Sequence, residues 1–249
     1  MECTVGDWIG SSHGGLFTMR KPPPDYAKIE QQLWKEFAAD VPRELRDGEK
    51  RLNQAIERFC KHFGYNKDDV KAHILESEMF AATFSKEPRR TGYHEKAARN
   101  WLKELEHVTN FKKLKSSGRD SLYVKQGGEI GGPPEATKRA SSKSLDFQWE
   151  TGRYTVYAMH KHNTEAGGHQ MGQYDEIRKT LQMFNNAGAK DTEVLIAIVD
   201  GEIYSSDRLN ELRRYTRQSP PHSFAGPIEE VPSILKYLMD GEHSLLVQP

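Results

Sequence analysis

Apolar positions recur along this chain with two periods. Within residues 26–39, Ile29, Leu33, Trp34 and Phe37 fall three and four apart, which predicts an amphipathic helix that Pro42 ends. The spacing returns in residues 48–63 through Leu52, Ile56, Phe59 and Phe63, and a third helix is predicted over 68–84, with Asn66 as its cap. After an interruption at Pro88, a fourth runs from Tyr93 with Ala97, Ala98, Trp101, Leu102 and Leu105 on one side. The amino-terminal third therefore reads as mainly helical and without internal repeat. The 25 residues before it are rich in Gly, Ser and Pro and read as an irregular arm.

The period changes to two in the middle of the chain. In residues 144–150, Leu145, Phe147 and Trp149 alternate with Asp146, Gln148 and Glu150, predicting a half-buried strand with Asp146 turned away from the core. Beyond the Thr151-Gly152 turn signal, residues 154–161 are rich in β-formers. They put Tyr157, Met159 and Lys161 on one face and Val156, Ala158 and His160 on the other, and the two runs should pair as a hairpin. Gly167-Gly168 breaks the pattern, and a helix follows over about 171–184, with Tyr174, Ile177, Leu181 and Phe184 in register. The continuous apolar run 193–200 predicts a buried central strand ended by Gly201. A helix over 208–217 and a last one around 234–239 flank the Pro220-Pro221 break. The order of elements predicts the α/β class, with residues 1–84 as arm and helical region and 85–249 as the main core.

Composition changes this picture in one respect, the distribution of charge. The 249 residues carry 36 Lys and Arg against 36 Asp and Glu, a neutral balance that argues against a nonspecific polyanion binder. Residues 112–143 nevertheless hold Lys112, Lys113, Lys115, Arg119, Lys125, Lys138, Arg139 and Lys143 against only Asp120, Glu129 and Glu135. This segment can attract a phosphate backbone or stand as a solvated basic loop. Arg213 and Arg214 lie in a second basic stretch, which fits a DNA-facing helix or an ordinary solvated one. Two cysteines, Cys3 and Cys60, are too few for a disulfide scaffold or a zinc ribbon and point to a reducing compartment. The chain starts without a basic region ahead of a long apolar run, and no window approaches about 18 apolar residues, so a soluble cytoplasmic protein is expected.

The candidate chemistry lies in residues 143–176. Asp146 sits on one predicted strand and Lys161 near the end of the next. Gln170, Gln173, Asp175 and Glu176 open the helix that follows. Oxygen donors of this kind suit a hard cation such as Mg²⁺, with Lys161 beside it to orient or deprotonate an attacking water. His160, His162 and His169 crowd the same stretch, so a zinc-dependent hydrolase is an alternative, although His160 and His162 fall on the strand face opposite Lys161.

Asp146, Lys161 and the segment Gln170-Met171-Gly172-Gln173-Tyr174 together resemble the PD-(D/E)xK nuclease superfamily, in the style of type II restriction endonucleases. The matching part spans residues 85–204, about half the chain. The resemblance implies a mixed sheet flanked by helices, Mg²⁺-dependent cleavage of double-stranded DNA at a short specific site, a homodimer, and a cognate DNA methyltransferase. It further implies a metal-site role for Glu95, in the helix after a basic turn that contains Arg89 and Arg90, and catalytic roles for Asp146 and Lys161. Arg89, Arg90, Gln173, Arg213, Arg214 and the Lys and Arg residues at 112, 113, 115, 119, 138, 139 and 143 become the expected DNA contacts. One position departs from the family: two before Lys161, where it has Asp or Glu, stands Met159. Either Glu95, Gln170, Asp175 or Glu176 compensates, or the chain is a noncatalytic DNA-binding protein on a degenerate nuclease core.

Overall fold

The computed structural model describes residues 21–133, 141–163 and 168–246, and the predicted arm through residue 20, Cys3, Lys138 and Arg139 lie outside it. Helix α1 (Tyr26–Arg46) starts at Asp25, whose Oδ1 accepts the Lys28 N–H at 2.9 Å. It runs through Pro42 instead of ending there. Proline forfeits a backbone hydrogen bond, but Val41 is fully buried and Glu44 is held by Arg51 and Lys86, each at 2.6 Å, so packing on both sides of the proline carries the helix past it. Helix α2 (Lys50–Phe63) ends at Gly64, whose φ of +75° is the left-handed conformation of a helix stop.

The single helix predicted over 68–84 is two. α3 (Lys67–Glu76) is capped as expected, Asn66 Oδ1 accepting the Asp68 N–H at 2.7 Å. Ser77 then turns extended, and its hydroxyl accepts the Phe80 N–H at 3.2 Å to start α4 (Glu78–Ala82). A serine that satisfies a backbone donor in this way competes with helix continuation. The four helices enclose an apolar cluster of Val41, Leu52, Ile56, Val70, Ile74, Ala81 and Phe84. A short 3-10 turn at Pro88–Thr91 leads into α5 (Tyr93–Leu102).

A mixed five-stranded sheet follows, so the chain is a mixed α/β protein. Strand β1 (Thr109–Lys113) lies at one edge, antiparallel to β5 (Phe147–Thr151), which forms the predicted hairpin with β6 (Tyr154–His162). Parallel to β6 runs β7 (Glu193–Asp200), with all eight residues buried as its apolar run predicts, and β8 (His222–Gly226) closes the other edge. Helix α6 (Gly168–Phe184) connects β6 to β7, α7 (Ser206–Arg213) connects β7 to β8, and α8 (Val231–Leu246) follows. A smaller sheet holds β2 (Tyr123–Lys125), β3 (Ile130–Gly131) and β4 (Ser141–Ser144) in the order β3-β2-β4.

Two apolar layers fix the orientation of the large sheet. Tyr174, Ile177, Leu181 and Phe184 of α6 pack with Met159, Leu195, Ala197 and Val199 on one face. On the other, Ala98, Trp101 and Leu102 of α5 and Leu235 and Leu238 of α8 pack with Phe147, Trp149, Val156, Ile196 and Ile198. Each such side chain contributes about 1.5–3 kcal/mol on burial, which is what pins the polar groups at the strand ends. The alternation predicted for β6 holds, but the strand predicted over 144–150 is split. Residues 141–144 pair with β2, residues 147–151 with β6, and the chain changes sheets at Leu145 and Asp146. Leu145 therefore packs with Met159 while Phe147 and Trp149 pack on the opposite face, and Asp146 is partly buried instead of turned to solvent. Among the described residues, no helix is long and apolar enough to cross a membrane.

Candidate active site

Strand register brings the chemistry to one end of the large sheet. Lys113 at the end of β1 pairs with Phe147 at the start of β5, and Lys161 and His162 at the end of β6 pair with Val199 and Asp200 at the end of β7. Asp146, just before β5, is clamped at this end. Its N–H donates to Ala158 O, and its Oδ2 accepts the His160 N–H, both at 2.8 Å. Burial raises the Asp146 carboxyl above its ordinary range; Lys161 and the His160 N–H pull it back, and Glu95 pushes it up. Lys161 and Glu95 thus both act on one carboxyl group. Glu95, in the first turn of α5, also takes Lys113 Nζ at 2.7 Å from Oε1.

Met159 lies 1% exposed against the α6 layer, so the position two before Lys161 is core. The two acids of α6 diverge. Asp175 is exposed and pairs along the helix with Arg178 at 2.9 Å. Glu176 turns inward, its side chain 12% exposed; Oε2 meets Lys143 Nζ at 2.7 Å and Oε1 is buried without a hydrogen-bond partner among the described residues. Gln173 Oε1 accepts Asn163 Nδ2 at 3.1 Å, and the same amide donates to Tyr204 Oη at 3.2 Å, the Tyr204 phenol being pushed by burial up to about 12. Gly201 makes this corner possible: at φ +101° it lies so close to Asn163 O that a Cβ would come within 2.2 Å. The Gln170 side chain lies outside the described residues.

A second polar group fills the other face of the sheet end. His160 Nε2 is 3.2 Å from both Asp200 Oδ2 and Tyr26 Oη, Tyr26 Oη donates to Asp200 Oδ2 at 3.2 Å, and the Ile228 N–H donates to Asp200 Oδ1 at 2.9 Å. His162 stacks on His94 with ring centroids 3.8 Å apart and meets the edge of Tyr26 at 4.6 Å. Burial depresses His94 to about 3 and His162 to about 4, so both are neutral at pH 7, and His94 Nε2 is buried without a partner among the described residues. Among the described residues, no three His, Cys, Asp or Glu side chains are grouped to hold a metal ion. The side chain of His169 lies outside them, and the His162 ring stacks on His94. The sequence gives no hint of Tyr26, His94 or Asn163 as partners here; the one available signal is Asp200, a lone acid closing an otherwise apolar strand after Glu193.

The expected nucleic-acid contacts also separate. Lys112 and Lys113 are exposed on the edge strand β1, which leaves the sheet beside Asp146, Leu114 N–H donating to Asp146 O at 2.9 Å. Lys115 pairs with Asp120 in the exposed loop that also carries Arg119. Arg89 Nε is 3.1 Å from Glu30, whose carboxyl is opposed by burial but held below its ordinary range by Tyr93 and Arg89. Arg213 is engaged by both Glu230 oxygens at 2.6 and 2.8 Å and by Ala225 O at 3.3 Å, which ties α7 to the sheet, whereas Arg214 is exposed. The Arg90 side chain, Lys138 and Arg139 lie outside the described residues. The chain matches no protein-family model and no curated protein.

Proposed function

We propose that this protein is a site-specific DNA endonuclease on a restriction-endonuclease-like core, dependent on Mg²⁺ or a similar hard cation. The observation that carries the reading is that Asp146, at one end of a mixed sheet flanked by helices, lies within electrostatic reach of both Glu95 and Lys161. The exposed Lys112 and Lys113 beside that end add charge of the kind a phosphate backbone requires. The donor set fits the cation. Mg²⁺ takes one or two carboxylates and completes its shell with water and phosphate oxygens, and Asp146 and Glu95 are the two that would hold it. When bound, such an ion supplies Lewis-acid stabilisation of phosphate charge and lowers the pKa of water.

The chain's own groups do the rest. Three backbone contacts hold Asp146, one of them the His160 N–H on its carboxylate, so the acid is largely preorganised. Lys161 sets an ammonium beside the reacting phosphate, where it orients water and stabilises the charge that develops. Cutting both strands of a short symmetric site takes two such centres, hence a homodimer, and a protective DNA methyltransferase is the expected companion.

Met159 favours a second reading. As core, it leaves the family's second acid unreplaced on β6, which suits a noncatalytic DNA-binding protein on the same scaffold. Incubation of purified protein with unmethylated phage DNA and Mg²⁺, read on a gel, separates the two. Discrete fragments that vanish with chelator are expected. Specific binding without cleavage in Mg²⁺ or Mn²⁺ would move the conclusion to the second reading.

A further inference from the structure

Lys113 holds one of the two carboxylates assigned to the cation. Its Nζ lies 2.7 Å from Glu95 Oε1, with the lysine side chain 51% exposed and the glutamate 35%. It sits at the end of an edge strand, next in the chain to Leu114, whose N–H donates to Asp146 O. The ammonium therefore adds a positive charge at Glu95, on which a divalent cation would also draw.

Pairs this exposed contribute little, too little to keep a flexible ammonium from a better partner. The Lys143–Glu176 pair, at a much less exposed carboxylate, and the Lys115–Asp120 pair, on a loop, do not involve the carboxylates that converge at Asp146. We propose that Lys113 is the resident counter-ion of Glu95, displaced when a divalent cation enters, and that the released ammonium takes a phosphate of the nucleic-acid backbone. Cation and DNA then promote each other's binding, since a coupling of this kind is reciprocal. The inference rests on the reading of Asp146 and Glu95 as cation ligands.

The test is Mn²⁺ binding, followed by the electron paramagnetic resonance signal of free Mn²⁺, with and without a short mixed-sequence DNA duplex. Without DNA, Lys113→Gln should bind Mn²⁺ about two- to fivefold more tightly than wild type, the range an exposed ion pair allows. Lys113→Arg, which keeps the charge, should return affinity to the wild-type value. The duplex should tighten Mn²⁺ binding less in Lys113→Gln than in wild type. Equal or weaker binding by Lys113→Gln, or an equal gain from the duplex in both proteins, overturns the proposal. Asp146→Ala separates this failure from a deeper one. If wild-type binding is absent or indifferent to Asp146→Ala, the cation site itself is wrong and the role of Lys113 falls with it. Asp146-dependent binding that Lys113→Gln leaves unchanged removes Lys113 alone.

Discussion

Two polar groups share one end of the sheet and differ in how fully their members are satisfied. The histidine group is nearly closed: Asp200 is met by the Ile228 N–H, Tyr26 Oη and His160 Nε2, and His94 and His162 stack as neutral rings, with His94 Nε2 buried and lacking a hydrogen-bond partner among the described residues. The charged group is open. Two carboxylates lie close enough for Glu95 to push up the Asp146 carboxyl, and lysines at 113 and 161 offset them from more exposed positions. A largely satisfied buried network specifies structure, whereas like charges gathered at a partly open position mark a candidate functional site. The first group accordingly ties α1 to β6 and β7, and the second is the one the proposed function draws on.

Substitutions should divide along that line, and the largest effects belong to the charged group. Asp146→Ala, Glu95→Ala and Lys161→Ala should each slow cleavage on the order of 100-fold or more, the scale of losing a preorganised electrostatic contact, while gel shifts keep DNA binding. Asp200→Ala should instead slow cleavage only as far as it unfolds the protein. Abolished cleavage in Asp200→Ala with unchanged thermal stability would reverse the assignment of the two groups.

Stability is where the histidine group should answer. Asp200→Ala leaves the Ile228 N–H and the Tyr26 hydroxyl without their buried acceptor, a loss of about 2–4 kcal/mol, measured by urea unfolding. The group also predicts a pH dependence. The folded pKa values of His94 and His162, about 3 and about 4, lie below the ordinary 6.5, so below pH 6.5 the unfolded chain takes up protons that the folded one refuses. Stability should fall as pH drops from 6.5 toward 4, by up to about 1.4 kcal/mol per pH unit for each histidine. Replacing both rings by Phe should flatten that slope; an unchanged slope would place the titration elsewhere.

What the sequence made legible follows the range of the interactions. Alternation along β6 and the apolar run of β7 are local, so their faces and burial, and the separation of Lys161 from His160 and His162, could be read directly. Asp146, Glu95 and Lys161 were readable as residue types in a pattern. The sheet change at Leu145 was not, because it depends on pairing with β2, which no periodicity announces. Short β1 and β8 at the sheet edges are set by their neighbours, and Pro42 stays helical because of distant partners. Tyr26 reaches His160 across 134 positions and Asp200 across 174, beyond any local signal.

A smaller effect sharpens the reading of Asp146 as a carboxylate held under strain. Its folded pKa is raised, chiefly by burial, so between 3.8 and that higher value the unfolded chain ionises first and stability falls as pH rises. Asp146→Asn keeps an oxygen for the His160 N–H and removes the charge. Without divalent cation it should raise the stability of the protein near neutral pH, with the gain vanishing below about pH 3.8, while cleavage is lost. Thermal melts in chelator across that range check it, and an equal or lower melting temperature at neutral pH would count against the strained carboxylate.

The smallest effects should distinguish the two acids of α6, alike in sequence and different in setting. Asp175 pairs with Arg178 on the exposed face, an arrangement worth about 0.3–0.5 kcal/mol. Asp175→Ala should leave both cleavage and stability within error of wild type. Glu176 is nearly buried on the helix that packs over Met159, and its Oε1 has no hydrogen-bond partner among the described residues. Its removal leaves Lys143, 65% exposed, free to hydrate, so stability should change little. Cleavage should still fall several-fold but less than about tenfold, since Glu176 would bear on the site through charge and not as one of the two assigned carboxylates. Parallel rates for Glu176→Ala, Glu176→Gln and Asp175→Ala decide it. If Asp175→Ala is the slower enzyme, the outward face of α6 approaches the substrate and the helix has been given the wrong side; if Glu176→Gln matches wild type while Glu176→Ala does not, its role is packing and not charge.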